Sequence, residues 1–134
     1  MQERPVRILL AEDDPADVFL FRLALADYPV PSDLTVAGDG AAALELLNSG
    51  SNFDILVLDL NMPRVGGEEV LSKLRVDPCG ARPAITVFVF SAIPVTARDV
   101  PGADACVVKP SGLDEYLKTV HRLCDTWVSR MRAR

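Results

Sequence analysis

Four apolar runs in this 134-residue chain each deliver reactive side chains at their C-terminal end. Val6 to Ala11 leads into Glu12, Asp13 and Asp14, and Ile55 to Leu58 into Asp59. Ala84 to Phe90 leads into Ser91, and Ala105 to Val108 into Lys109. Short apolar runs rich in branched residues and bounded by turn residues read as strands buried on both faces. A carboxylate at the mouth of such a strand is costly unless something pairs with it. Several carboxylates held together repel, and one pKa rises unless a cation sits among them. Clustered oxygens suit a hard divalent ion, and Mg²⁺ favours a few carboxylates together with phosphate oxygens. A lysine and a hydroxyl add donors for an anion. These residue types therefore point to a site for a metal and a phosphate. Asp59 would be the nucleophile that forms an acyl phosphate, with Mg²⁺ and Lys109 offsetting the charge on the oxygens. Plainer readings exist: Asp59 as the start of a turn, Lys109 before Pro110 as a surface lysine.

The side chains meet only if the strands lie parallel, so the segments between them decide the matter. Pro15 suits a first helical turn with Asp14 as N-cap. Val18, Phe21 and Leu25 fall at i, i+3 and i+7, predicting a helix from Ala16 to about Tyr28. Leu34 to Ala37 reads as a second strand. Asp39 caps a helix from Ala41 to about Asn48, and Gly50 ends it. Gly66 and Gly67 supply a loop with unusual backbone angles before a helix over Glu68 to Arg75. Asp77 to Pro83 is a turn-rich loop. A last helix runs from about Leu113 to Met131. Strands alternating with helices argue a parallel sheet wrapped on both faces. Its strand ends then share one edge, where ligands bind in such folds.

Bulk properties agree. The length fits one domain, taken as residues 1–134 with a core over about 6–125. Net charge is −5, which disfavours nucleic acid as a partner. No run is long and apolar enough to span a membrane, and no signal peptide is evident, so a cytoplasmic location is expected. Cys79, Cys106 and Cys124 are widely spaced and suggest neither a disulfide framework nor a zinc site.

The ordered set Ala11-Glu12-Asp13-Asp14, Leu58-Asp59-Leu60-Asn61-Met62-Pro63 with Gly66-Gly67, Phe90-Ser91-Ala92 and Val108-Lys109-Pro110 resembles the receiver domain of two-component response regulators. That resemblance implies an α/β, flavodoxin-like, doubly wound five-stranded parallel sheet. It implies that Asp59 is the phosphoacceptor, served by the phosphohistidine of a sensor kinase. Asp13, Asp14, Asp59 and the Asn61 carbonyl would form the Mg²⁺ pocket, and Ser91 and Lys109 would contact the phosphoryl group. Ala92 would keep the approach open. The chemistry would be slow uptake and hydrolysis of the phosphoryl group, as in a switch rather than a metabolic enzyme. The first helix, the Pro29-Val30-Pro31 connection and the 77–83 loop look similar to regulators paired with bacterial phytochrome kinases. Because the chain ends just after the receiver, a stand-alone regulator is expected, acting by altered protein contacts or by passing phosphate to a histidine phosphotransfer protein. Two alternatives stand beside it. One is a Mg²⁺-dependent phosphohydrolase on a similar sheet, disfavoured because Asn61 replaces the Asp such enzymes carry two residues after the nucleophile. The other is a receiver-like scaffold that takes no phosphate.

Other acids and the lone histidine get quieter roles. Alternation along the strand turns Glu12 away from the metal. Asp17 complements the helix dipole. His121 is expected to be solvated rather than a phosphorelay residue. Two departures from the family pattern concern how the signal is read. Cys106 stands where receivers usually carry an aromatic three residues before the lysine. The segment between Ser91 and Lys109 is about four residues short, roughly one helical turn, and contains Pro94 and Pro101. Helix four, between the fourth and fifth strands, should be stunted to about Val95 to Val100 or absent. In the extended last helix, Leu113, Leu117, Val120, Cys124, Trp127 and Met131 form an a/d-like seam. Its far end either folds back on the domain or covers a partner chain, giving a homodimer through this helix and strand five.

Overall fold

The elements of the computed structural model are β1 (Val6–Ala11), α1 (Pro15–Ala26), β2 (Ser32–Ala37), α2 (Gly40–Asn48), β3 (Ile55–Leu58), α3 (Gly67–Arg75), β4 (Thr86–Ser91), β5 (Ala105–Val108) and α4 (Leu113–Arg132). The five strands form one parallel sheet in the order β2-β1-β3-β4-β5, each leading to the next by a crossover. The structure describes residues 4–50, 52–60, 62, 66–75, 85–96, 99–100 and 102–132. Asn61, the 77–83 loop and Pro101 lie outside the described residues.

Period-two alternation divides the core between the two faces. Leu9, Ala11, Leu56, Leu58, Val87 and Val89 pack with Ala43 and Leu47 of α2 and with Val70 and Leu71 of α3. Ile8, Leu10, Ile55, Val57, Phe88 and Phe90 pack with Phe21, Ala24 and Leu25 of α1 and with Tyr116, Val120, Leu123 and Cys124 of α4. All four residues of β3 are buried, as the unbroken apolar run requires of a central strand. The chain runs outward from β1 to β2, then returns across β1 to β3. The sheet therefore reverses its winding between β1 and β3, the place where doubly wound folds bind ligands.

Helix ends follow their sequence signals with small shifts. Asp14 caps α1 by accepting from the Ala16 amide, and Asp39 caps α2 through the Ala42 amide at 2.8 Å. α1 ends at Ala26 rather than near Tyr28, because a residue before Pro29 is disfavoured in helical geometry. Gly50 takes a φ of 87°, as expected of a glycine just past a helix.

Between β4 and β5 the described residues contain no helix. They hold one capped turn instead. The Val100 amide donates to the Thr96 carbonyl at 3.2 Å, and Asp99 accepts from the Thr96 amide at 2.9 Å and its hydroxyl at 3.1 Å. Val100 plugs the α2/α3 side of the core.

α4 docks along the domain for most of its length. Tyr116, Val120, Leu123 and Cys124 are buried, and the half-buried Trp127 packs against the same core. Arg130 reaches Asp104, just before β5, at 3.6 Å. Leu113 and Met131, the two ends of the expected seam, are exposed. His121 is not simply solvated. Its Nε2 bonds the Ala24 carbonyl at 2.8 Å, and its ring tilts against Tyr28 at 5.3 Å. Among the described residues no helix is long and apolar enough to cross a membrane.

The end of the sheet opposite the strand-end acids is fastened by Asp54. Its carboxylate accepts from both Arg4 guanidinium nitrogens, at 2.8 and 2.7 Å, and from the Arg7 amide at 2.9 Å. Burial alone would raise the Asp54 pKa, but Arg4 and the Arg7 amide outweigh it and hold the carboxyl below its usual value. A depressed folded pKa contributes stability above the unfolded value, near ~3.9, and loses it as pH falls through the folded value. Asp54→Asn should therefore cost about 1 kcal/mol at neutral pH, with the deficit closing below that range. Urea titrations of both proteins across acidic pH check this, and a deficit that does not shrink with acid would contradict it.

Candidate phosphoacceptor site

Glu12, Asp59 and Lys109 are each fixed by one more rung of hydrogen bonding beyond their strands. The Glu12 amide donates to the Ala37 carbonyl at 3.0 Å and the Asp59 amide to the Ala11 carbonyl at 3.1 Å. The Lys109 amide donates to the Ser91 carbonyl at 2.7 Å. The sheet thus holds the acids, the hydroxyl and the lysine at one edge, as the parallel reading required.

Glu12, Asp13 and Asp59 each place a carboxylate oxygen within 4.8 Å of the others. Glu12 and Asp59 are buried, at 3% and 8% exposure, while Asp13 is exposed. Lys109 Nζ enters the same pocket. It donates to Glu12 and to Asp17 Oδ2, the latter at 3.0 Å, and stands 3.7 Å from Asp59 Oδ2. Its charge also lies 5.8 Å from the centre of the Phe90 ring. Ser91 is buried at the end of β4, and its Oγ accepts from the Ile93 amide at 3.1 Å. Ala92 is small and exposed.

Among the described side chains of the site, carboxylates outnumber ammonium groups. Burial pushes the Glu12 carboxyl up, and neighbouring Asp59 adds to the rise, against the pull of Lys109. Burial works against the charge on Lys109, yet Glu12 and Asp17 raise its pKa above the ordinary lysine value. Among the described residues one ammonium, that of Lys109, faces Glu12, Asp17 and Asp59. The trio of carboxylate oxygens fits a hard divalent cation.

Two residues given quiet roles in the sequence belong to this pocket. Glu12 does not turn away. Alternation sends it to the α1/α4 side with Leu10, where Lys109 waits, while Asp13 has already left the strand and folds to the same place. Glu12 Oε2 also accepts from the Asp13 and Asp14 amides, at 3.1 and 3.2 Å, which shapes that exit. Asp17 does more than complement a dipole, since it binds the lysine. Its signal lay in the helix pattern: Asp17, Phe21 and Ala24 fall at i, i+4 and i+7, so the acid heads the buried stripe. Of the metal ligands expected from the sequence, Asp13 and Asp59 meet in the trio. Asp14 is exposed and accepts from the Ala16 amide at 2.9 Å.

Residues 8–121 match the family model described as the response regulator receiver domain. The chain belongs to that family. Among curated relatives of this receiver, the transcriptional regulatory protein TrcR of Mycobacterium tuberculosis is 32% identical over 128 residues, covering 89% of this chain and 45% of TrcR. The chain spans about half the length of the curated relatives it matches. Among solved structures, the phosphorylated cyanobacterial phytochrome response regulator RcpA superposes with a TM-score of 0.82 at 28% identity, over 95% of this chain and 96% of that one. The Mn²⁺-bound form of response regulator Rcp1 gives 0.79 at 26% identity, over 92% and 94%. Receiver membership accounts for the acids at the ends of β1 and β3 and weighs against the phosphohydrolase alternative.

Proposed function

We propose that this receiver takes a phosphoryl group onto Asp59 from the phosphohistidine of a sensor histidine kinase. The observation that carries the reading is the Asp59 carboxylate, buried beside Glu12 and Asp13 with the Lys109 ammonium 3.7 Å away. A carboxylate oxygen of Asp59 attacks phosphorus. The new acyl P–O bond forms as the P–N bond breaks, and the electron pair of that bond stays on the departing imidazole. Lys109 faces the phosphoryl oxygens as their charge grows. Ser91 Oγ accepts from Ile93, which leaves its hydrogen to be donated to a phosphoryl oxygen. Glu12, Asp13 and Asp59 would hold Mg²⁺, with Asp14 and the Asn61 carbonyl added as the family resemblance implies, and the ion when bound neutralises phosphoryl and carboxylate charge. The likeness to RcpA supports a phytochrome-type kinase as donor.

Incubation with acetyl phosphate and Mg²⁺ tests the reading. A hydroxylamine-labile mass gain of one phosphoryl group on the β3–α3 peptide is expected. An unmodified chain would favour an inert scaffold, and turnover of many small phosphoesters a hydrolase.

Readout by protein contact follows from the same reading, including pairing of two copies through β5 and α4. Val108 on edge strand β5 and Leu113 at the start of α4 are exposed at 44% and 52%, which favours that surface over Trp127. Trp127→Ala should lower stability by about 2 kcal/mol, because the half-buried ring packs on its own domain. It should leave concentration-dependent sedimentation unchanged, whereas Val108→Asp with Leu113→Asp should abolish any association. Loss of association in Trp127→Ala alone would move the interface to the far end of α4.

A further inference from the structure

Asp17 is the one partner of Lys109 that comes from a helix rather than a strand end. Its carboxylate sits on the first turn of α1 and holds Nζ at 3.0 Å, in a setting where the two side chains are 24% and 11% exposed. Asp59 Oδ2 is 3.7 Å from the same nitrogen, beyond direct hydrogen-bond length. The lysine is thus drawn to Glu12 and Asp17 and held off Asp59. Asp17 is itself anchored. Its backbone carbonyl accepts from the buried Tyr116 hydroxyl of α4 at 3.1 Å, and the Tyr116 ring lies 5.4 Å from Phe90, beneath the lysine.

We propose that Asp17 is a positioning residue that keeps Lys109 in a standby position, and that the incoming phosphoryl oxygens take the lysine from it. The proposal rests on phosphorylation at Asp59. Two physical effects give its direction. The Asp17 carboxylate competes with phosphoryl oxygens for one ammonium, and its negative charge repels an anionic donor. The competition is over once the lysine has moved to the phosphoryl group, and hydrolysis brings a neutral water to the site, which the Asp17 charge does not repel. Asp17 therefore slows capture of the phosphoryl group without governing its later loss. The freed Asp17 also belongs to the α1 turn that Tyr116 ties to α4. Exchange of the lysine's partner thus reaches the C-terminal helix on the side of the sheet opposite Cys106, which packs with the α2/α3-side core.

The test is Asp17→Asn in the full chain, with thermal melting to confirm folding. With acetyl phosphate and Mg²⁺, the second-order rate constant for phosphorylation should rise about fivefold, the scale of one partly exposed ion pair. Hydrolysis of the aspartyl phosphate should change less than about twofold. A merely structural lesion would slow capture and alter both rates. An unchanged or lower capture rate in the folded variant overturns the proposal. A second measurement does not depend on phosphorylation. The ¹⁵N–¹H signal of the Lys109 ammonium in the unmodified protein should show hydrogen exchange about fivefold faster in Asp17→Asn. If wild type takes no phosphoryl group, the proposed function fails, and this signal alone decides whether Asp17 holds the lysine. Unchanged exchange overturns that as well.

Discussion

Asp59→Asn is expected to take up no phosphoryl group under conditions that modify the wild-type chain, so the hydroxylamine-labile adduct disappears altogether. The carboxamide has nearly the shape of the carboxylate but lacks its nucleophilic charge, so the effect belongs to chemistry rather than packing. A second consequence concerns the carboxylates packed beside Asp59. Burial raises the Glu12 carboxyl from 4.5 to about 7, against the pull of Lys109 and with help from Asp59. A group whose folded pKa lies above its unfolded value contributes stability at low pH that is lost as pH rises through the folded value. In divalent-free buffer the wild type should therefore gain stability as pH falls from about 8 toward 5. Asp59→Asn removes one repelling carboxylate, so its stability should vary less over that window. Denaturant melts at several pH values measure both slopes. An adduct persisting in Asp59→Asn would place the acceptor elsewhere, and equal slopes would remove Asp59 from the Glu12 environment.

What the sequence reveals about this receiver follows from which contacts are local. Asp59, Ser91 and Lys109 are legible because each ends an apolar run, and parallel pairing carries strand ends to one edge without further information. That the described residues between β4 and β5 form no helix is legible because Pro94 and Pro101 bracket too few residues to build a long one. Glu12 and Asp17 are harder. Placing them requires knowing that Asp13 leaves the strand while Glu12 still obeys its alternation, and that α1 lies over β1 with Asp17 at the head of its buried face. The reach of Tyr116 to the Asp17 carbonyl links residues 99 apart in sequence and has no local signature. The role of Trp127 depends on whether the receiver core offers a surface that far along the helix to receive it. Here the core provides that surface, with the Arg130–Asp104 pair further along the helix.

Gly67→Ala should be among the most damaging single-methyl additions at the site, and the reason is not the one its sequence suggests. Gly67 is not among the described glycines with positive φ, which are Gly50 and Gly102, so no left-handed conformation demands glycine here. Space does. A Cβ at Gly67 would lie 2.5 Å from the Asp59 carbonyl oxygen and 2.9 Å from Leu60 Cα, both backbone atoms. The Gly67 amide also donates to the Leu60 carbonyl at 3.3 Å, so the start of α3 is stacked on the peptide that carries Asp59, the proposed phosphoacceptor. Relief requires α3 to lift, pulling buried Val70 and Leu71 from the core, or the Asp59 peptide to shift. Cores resist such overpacking because their neighbours are already in contact. The expected cost is about 3 kcal/mol, and a displaced nucleophile should slow phosphorylation by roughly tenfold or more. Gly66→Ala is the internal control. Its Cβ would meet only the Leu60 carbonyl oxygen at 3.6 Å, an ordinary contact, and it should behave nearly as wild type. Denaturant melts and acetyl phosphate kinetics on the two variants separate close approach from any general intolerance of the loop. Equal behaviour of the two would refute the stacking of α3 on the Asp59 peptide.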